Sequence, residues 1–228
     1  MSVQDSTPLL ALQRMRPGDH YCGIFSSDAE QRRIAIDFVH LGIERNEKML
    51  YLVNLQTAAQ LESTLATAGI DAEALIKKGQ LVILTAKETY LKDGTFDPAR
   101  MIEALKQETV QALEAGYLAL RVTGEMTWAL AGEPGSERLV EYEALLNQFY
   151  VEYPQCYAIC QYDQRRFDAD LLLDVLHTHP KVLNGTHGFD NTEMYFVPSE
   201  TFLTPNRHRA VLETWLANLA NRNDVQPA

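Results

Sequence analysis

Compact apolar runs of strand length recur along this chain, HYCGIF, KMLYLVN, LVILTA, YLALRVTG and CYAICQYD, and stretches of helical periodicity separate them. Between the first two runs, Ile34, Phe38 and Leu41 fall at i, i+4 and i+7, one face of a helix predicted over 28–45. Helical segments follow over 56–68 and 71–78. Asp97-Pro98 supplies an N-cap acid and a first-turn proline for a helix that stops at Gly116. Further helices are expected from Ser136 to Tyr150 and from Asp168 to His177, then shorter segments around KVL and EMYFV. Strands alternating with helices imply an α/β fold with a mainly parallel sheet, helices covering both faces. In such a sheet ligands bind beyond the carboxyl ends of the strands, so residues just after each strand become the candidate site.

Length and charge narrow the function. A chain of 228 residues with no Pro/Gly/Ser-rich linker suits one large domain: a lead over 1–15, the domain over 16–200, an amphipathic helix over 201–222 and a disordered tail over 223–228. Thr204-Pro205 opens that last helix, in which Leu212, Trp215, Leu216 and Leu219 share a face suited to a partner or a homo-oligomer. Lys and Arg number 20 against 31 Asp and Glu, a net charge of −11, which repels nucleic acid and anionic lipid. No apolar run approaches the roughly 20 residues of a membrane span, and MSVQDSTPLL lacks the pattern of a signal peptide, so a cytoplasmic location is expected. The three cysteines do not make a disulfide framework. Cys156 and Cys160, four apart on a strand and so about 13 Å from each other, cannot share a metal.

The order strand, loop, helix, Gly42-x-x-x-x-Glu47, strand invites comparison with nucleotide-binding folds. A P-loop needs glycines to wrap phosphates and a lysine to reach the terminal ones, but the loop here reads SSDAEQRR and no Gly-Lys pair occurs in the chain. Asp28 and Glu30 place negative charge where a triphosphate would sit, with Arg32 and Arg33 as partial compensation. The fourth strand ends in Thr123-Gly124-Glu125, without the aspartate that would hold magnesium. GDHYCGIF, Glu30, DFVHLGIERNEKMLYLVN, RVTGEMTWAL and QYDQRRF, taken in order over roughly residues 15 to 185, resemble the MEDS family, the methanogen/methylotroph, DcmR-type sensory domains. The resemblance implies a three-layer RecA/KaiC-like fold with a degenerate P-loop, and a sensory role in bacterial or archaeal signalling for small organic compounds. Family members are often joined to a histidine kinase or a DNA-binding region. With about 40 residues after the domain, output is expected to pass through a signalling protein such as a kinase or regulator, or through self-association.

The candidate ligand-binding residues fall into three groups. Gly124, Glu125, Met126 and Trp128 follow the fourth strand, where glycine permits close approach, the carboxylate fixes a polar group, and Met and Trp form an apolar wall. Asp19 and His20 open the first strand, as a ligand contact or as a pair that fixes a turn. Glu30, Arg32, Arg33, Tyr51, Asn54, Arg121 and Tyr162 complete the set, with Arg165 beside them. Arg121, amid apolar residues, needs a buried partner, for which Glu30 and Glu125 are the candidates. Cys22 reads as a small buried hydrophobe. His177 and His179, at a helix end before Pro180, resemble a metal pair without a third ligand. The reading is therefore a non-catalytic small-molecule sensor, with its pocket between SSDAEQRR and GEMTWAL and with no cofactor or metal. A divergent NTPase using Arg32, Arg33 and Glu125, or an interaction module with a vestigial nucleotide site, are the competing classes.

Overall fold

The computed structural model describes residues 10–223 except 186 and 193. Of the tail expected over 223–228, Asn223 ends α9; residues 224–228 and the first nine residues of the expected lead lie outside the described residues. In chain order the elements are α1 (Leu10–Arg14), β1 (His20–Phe25), α2 (Asp28–Glu44), β2 (Lys48–Val53), α3 (Ala58–Thr67), α4 (Ala72–Lys77), β3 (Leu81–Thr85) and α5 (Pro98–Glu114). There follow β4 (Leu120–Glu125), α6 (Leu139–Glu152), β5 (Cys156–Asp163), α7 (Ala169–Thr178), β6 (Lys181–Asn184), β7 (His187–Asp190), α8 (Ser199–Phe202) and α9 (Arg207–Asn223).

The strands form one sheet in the order β3-β2-β4-β5-β1-β6-β7, parallel throughout except for β7, which runs back along β6. The α/β architecture read from the alternating runs is the one observed. The edge hairpin is new: β6 covers the expected KVL segment, β7 comes from HGFD, and residues 194–197 of the expected EMYFV segment form no strand. HGFD has no apolar alternation and all four residues are exposed, so the hydrophobic pattern gave it no signal.

Side chains alternate across the strands with a period of two, which divides the core. Leu50, Leu52, Val122, Ala158 and Cys160 pack with Met101, Leu105, Tyr142, Leu146 and Phe149 of α5 and α6. Met49, Tyr51, Tyr157 and Ile159 pack with Ile34, Phe38, Leu61 and Leu65 of α2 and α3. The helix ends are capped as their sequences require. Ser27 accepts from the Glu30 N–H, Thr57 and Gln60 form a reciprocal box, and Asp97 precedes Pro98. Residues 11–15 of the expected lead are part of the fold, because Leu12 and Met15 are fully buried in the α2 and α3 layer and α1 packs on β7.

Helix α9 meets the domain through Val211 and Trp215, beside Val140, Ala144, Val197 and Phe202. Leu212, Leu216 and Leu219 are more than half exposed, so the predicted single face is split: Trp215 turns inward and the leucines turn out. No helix among the described residues is long and apolar enough to cross a membrane.

Candidate functional site

The carboxyl ends of β1, β2, β4 and β5 surround a cleft of about 400 Å³, lined among others by Phe25, Gln31, Arg32, Leu55, Gln56, Glu125, Gln161 and Asp163. It lies where an open parallel sheet places ligands. Asp28, Gln31 and Arg32 of α2 and Gln60, Ser63 and Thr64 of α3 form its sides.

The floor of the cleft is a connected set of buried and half-buried polar groups. Glu125, 2% exposed, accepts from the backbone N–H groups of Asn54 at 3.0 Å and Leu55 at 2.7 Å and from the Gln56 amide at 2.5 Å. Burial pushes its carboxyl above the ordinary carboxylate range, while those donors pull it partly back. Behind it, the Gln161 amide donates to the Tyr51 hydroxyl at 3.0 Å and to Thr123 Oγ1 at 2.8 Å, and Gln31 reaches the Gln161 carbonyl oxygen at 3.3 Å. Asn54 holds Thr127 at 3.0 Å. At the rim, Arg165 bonds Asp163 at 2.7 Å and Asp28 at 2.6 Å, tying the start of α2 to the end of β5. The Arg165 guanidinium holds the Asp163 carboxyl below its ordinary value, against burial.

Of the residues singled out in the sequence, Asp28, Arg32, Glu125 and Arg165 line this cleft, and Tyr51 and Asn54 brace its floor from behind. The others lie elsewhere. Trp128 is 1% exposed, stacked on Tyr90 at 4.7 Å and tilted against Phe96 at 4.5 Å. A 3₁₀ turn over Met126–Ala131 carries it back under the sheet, and Met126 is buried beside it, receiving the Tyr90 hydroxyl. Neither lines this cleft. Gly124 faces the same aromatic group: a Cβ there would come 2.4 Å from the Tyr90 hydroxyl oxygen, so the glycine serves packing.

Arg121 sits at the opposite end of β4. Its partner is neither Glu30 nor Glu125 but Glu47, which precedes β2: Nε is 2.8 Å from the Glu47 carboxylate and the Tyr157 hydroxyl is 2.6 Å from the guanidinium. The Glu30 carboxylate instead accepts from the Ser26 backbone N–H at 2.7 Å and from its hydroxyl, closing the turn between β1 and α2. Arg33 bonds Asp37 at 2.8 Å along its own helix. Asp19 accepts from the Arg16 N–H at 2.8 Å, which fixes the turn before β1 without touching His20.

Tyr162 and His20 belong to a second polar cluster, on the α5 and α6 face of the sheet. Tyr162 follows Gln161 and so points to the opposite face, where its hydroxyl bonds Glu143 at 2.5 Å. His20, Cys160 and His179 meet the other Glu143 oxygen at 3.2, 3.3 and 3.3 Å. Burial raises the Glu143 carboxyl, but the His179 and His20 imidazoles outweigh it and hold it below its usual range. Burial and the neighbouring His179 push the His20 imidazole down. The sequence reading missed Glu143, Cys160 and His179 as a group. One signal was present: Glu143 interrupts the buried stripe Leu139, Leu146, Tyr150 at helical spacing.

Comparison with known proteins agrees with this architecture. A KaiC-like protein from the hyperthermophilic archaeon Pyrococcus horikoshii has a similar fold, with a TM-score of 0.53 at 14% identity, covering 74% of this chain and 71% of that one. A transcriptional repressor, DcmR of Methylorubrum extorquens, is 26% identical over 161 residues, which are 71% of this chain and 58% of the repressor. The chain thus matches little more than half the length of that relative. The family model for the MEthanogen/methylotroph, DcmR Sensory domain matches residues 19–180, from the turn before β1 to the start of β6. With most of the sheet and both polar clusters inside that span, the chain belongs to the MEDS family of sensory domains.

Proposed function

We propose that this domain is a non-catalytic sensor that binds a small organic molecule in the cleft over the β-strand carboxyl ends and passes its occupancy to a signalling partner. The observation that carries the reading is the linked floor of buried Glu125, Tyr51, Gln161 and Thr123 with half-buried Gln56, polar groups held in fixed orientations beneath an open cleft. Donors and acceptors fixed in this way recognise a ligand's polar group, and Phe25 and Leu55 offer apolar contact to its body. The repressor named for the homologous relative supports a regulator as the output partner, and the exposed leucines of α9 offer a surface for it or for a second copy.

Phosphate binding in the manner of P-loop proteins is disfavoured by the first turn of α2. There the Ser26 N–H that would face a phosphate already holds the Glu30 carboxylate. The cleft retains Arg32, so ATP with magnesium is the informative control.

The test is native mass spectrometry of freshly purified protein, followed by thermal shift with a panel of small alcohols, amides and carboxylates. A ligand at 100 times its Kd adds about 2.7 kcal/mol of apparent stability. Gln161→Leu and Gln56→Leu are expected to weaken such binding about tenfold each, one hydrogen bond lost. A shift with ATP and magnesium that Arg32→Ala abolishes would replace this reading with a nucleotide-binding one.

A further inference from the structure

In the cluster formed by His20, Glu143, Cys160 and His179, neutral imidazoles leave more electron pairs than protons. All four side chains are buried, and one ligand-type atom from each lies within 4.8 Å of the other three. The proton positions follow from the surrounding carbonyl groups. His179 Nδ1 is 2.8 Å from the Val175 carbonyl oxygen, which can only accept, so Nδ1 carries the proton and Nε2 a lone pair. Asn147 donates its amide to the Thr178 carbonyl oxygen at 2.7 Å, which leaves its Oδ1 facing His20 Nδ1 at 3.0 Å. His20 Nδ1 is therefore also the protonated nitrogen.

In their neutral forms both imidazoles thus aim an Nε2 lone pair at the same carboxylate oxygen. His20 Nε2 is 3.2 Å and His179 Nε2 3.3 Å from Glu143 Oε2, contacts that become hydrogen bonds only where Nε2 carries a proton. The Cys160 thiol, 3.3 Å from Oε2 and 3.6 Å from His20 Nε2, has one proton for these acceptors. With both imidazoles neutral, four electron-pair donors converge on a space that offers them a single proton.

We propose that His20, Glu143, Cys160 and His179 bind one divalent transition-metal ion of the zinc class. The spacings fit: bonds of about 2.0–2.1 Å to nitrogen or oxygen and about 2.3 Å to sulfur place tetrahedral ligands about 3.3–3.6 Å apart. The charge fits as well. On binding, the Cys160 thiol gives its proton to solvent, and one thiolate and one carboxylate balance the two positive charges of the ion within an apolar core. Both histidines already show the outer contact that orients a metal-bound imidazole, Asn147 Oδ1 for one and the Val175 carbonyl for the other, while the Tyr162 hydroxyl holds the second Glu143 oxygen. A soft sulfur with two imidazoles selects zinc, cobalt or a neighbour over magnesium or calcium. The ion would join β1, β5, α6 and the turn into β6, on the opposite face of the sheet from the cleft.

The experiment is cobalt(II) titration of the full chain after dialysis against a chelator, with elemental analysis of the protein as purified. One equivalent of cobalt per chain is expected, with thiolate-to-cobalt charge-transfer absorption and tetrahedral d–d bands that zinc abolishes. Cys160→Ser should remove the charge-transfer absorption, Cys22→Ser should keep it, and Asn147→Ala should weaken cobalt binding about 10- to 100-fold. Folded wild-type protein that takes up no stoichiometric cobalt or zinc would overturn the proposal. So would a cobalt spectrum that Cys160→Ser leaves unchanged.

Discussion

At the scale of single residues, the sequence marks which side chains are unusual but not what they meet. Arg121 stands out in its strand as a charge needing a partner, yet the partner, Glu47, is separated from it by 74 positions and by the pairing of β2 with β4. Removing one member of a buried pair leaves the other uncompensated. Glu47→Gln is expected to destabilise the domain by about 3–5 kcal/mol in urea denaturation while leaving the cleft intact. Trp128→Ala should cost a similar amount, about 3–5 kcal/mol, because it empties the stack with Tyr90 and Phe96. It should leave ligand affinity unchanged, which a titration of the refolded variant checks. Asp163 supplies the pH dependence. Its carboxyl is lower in the folded chain than in the unfolded one, so its contribution to stability is present above the ordinary aspartate value of about 3.9 and fades as pH falls through the folded value. Asp163→Asn is expected to flatten the acid limb of a stability-pH curve between these values.

At the scale of elements, the strands and most helices were legible because local periodicity and capping determine them. What periodicity could not settle was the direction of a nearly all-apolar or weakly patterned helix. α6 is apolar on most of its circumference, so nothing distinguishes Glu143 as inward except its place in the stripe Leu139, Leu146, Tyr150. α9 offers the reverse case. Leu212, Trp215, Leu216 and Leu219 share one side by spacing, but the domain takes Val211 and Trp215, a stripe rotated by one residue, and leaves the leucines in solvent. The rotation predicts a clear contrast. Val211→Asp, which buries a charge, should unfold the C-terminal packing and lower the thermal midpoint, whereas Leu216→Glu should change folding stability by less than about 0.5 kcal/mol. Light scattering of Leu216→Glu beside the wild type then reads whether the leucines hold a second copy.

At the scale of the whole molecule, the parallel sheet and its helical layers followed from the alternation of runs, and with them the end of the sheet where a cleft forms. The content of that cleft did not follow. Its floor consists of Gln31, Gln56, Gln161 and Thr123, common polar residues that carry no motif and gain meaning only when four strands bring them together. The strand order has a further consequence, for the time course of synthesis. β1, which leaves a ribosome before either of its neighbours, lies between β5 and β6, with His20 beside Ala158 and Tyr21 beside Lys181. Neither edge of β1 can find its neighbour until well over half of the chain exists, and closing so long a loop is entropically slow. The nascent chain must therefore hold its first strand in waiting, a state open to chaperones, and a fragment ending before β5 would have no sheet to give it.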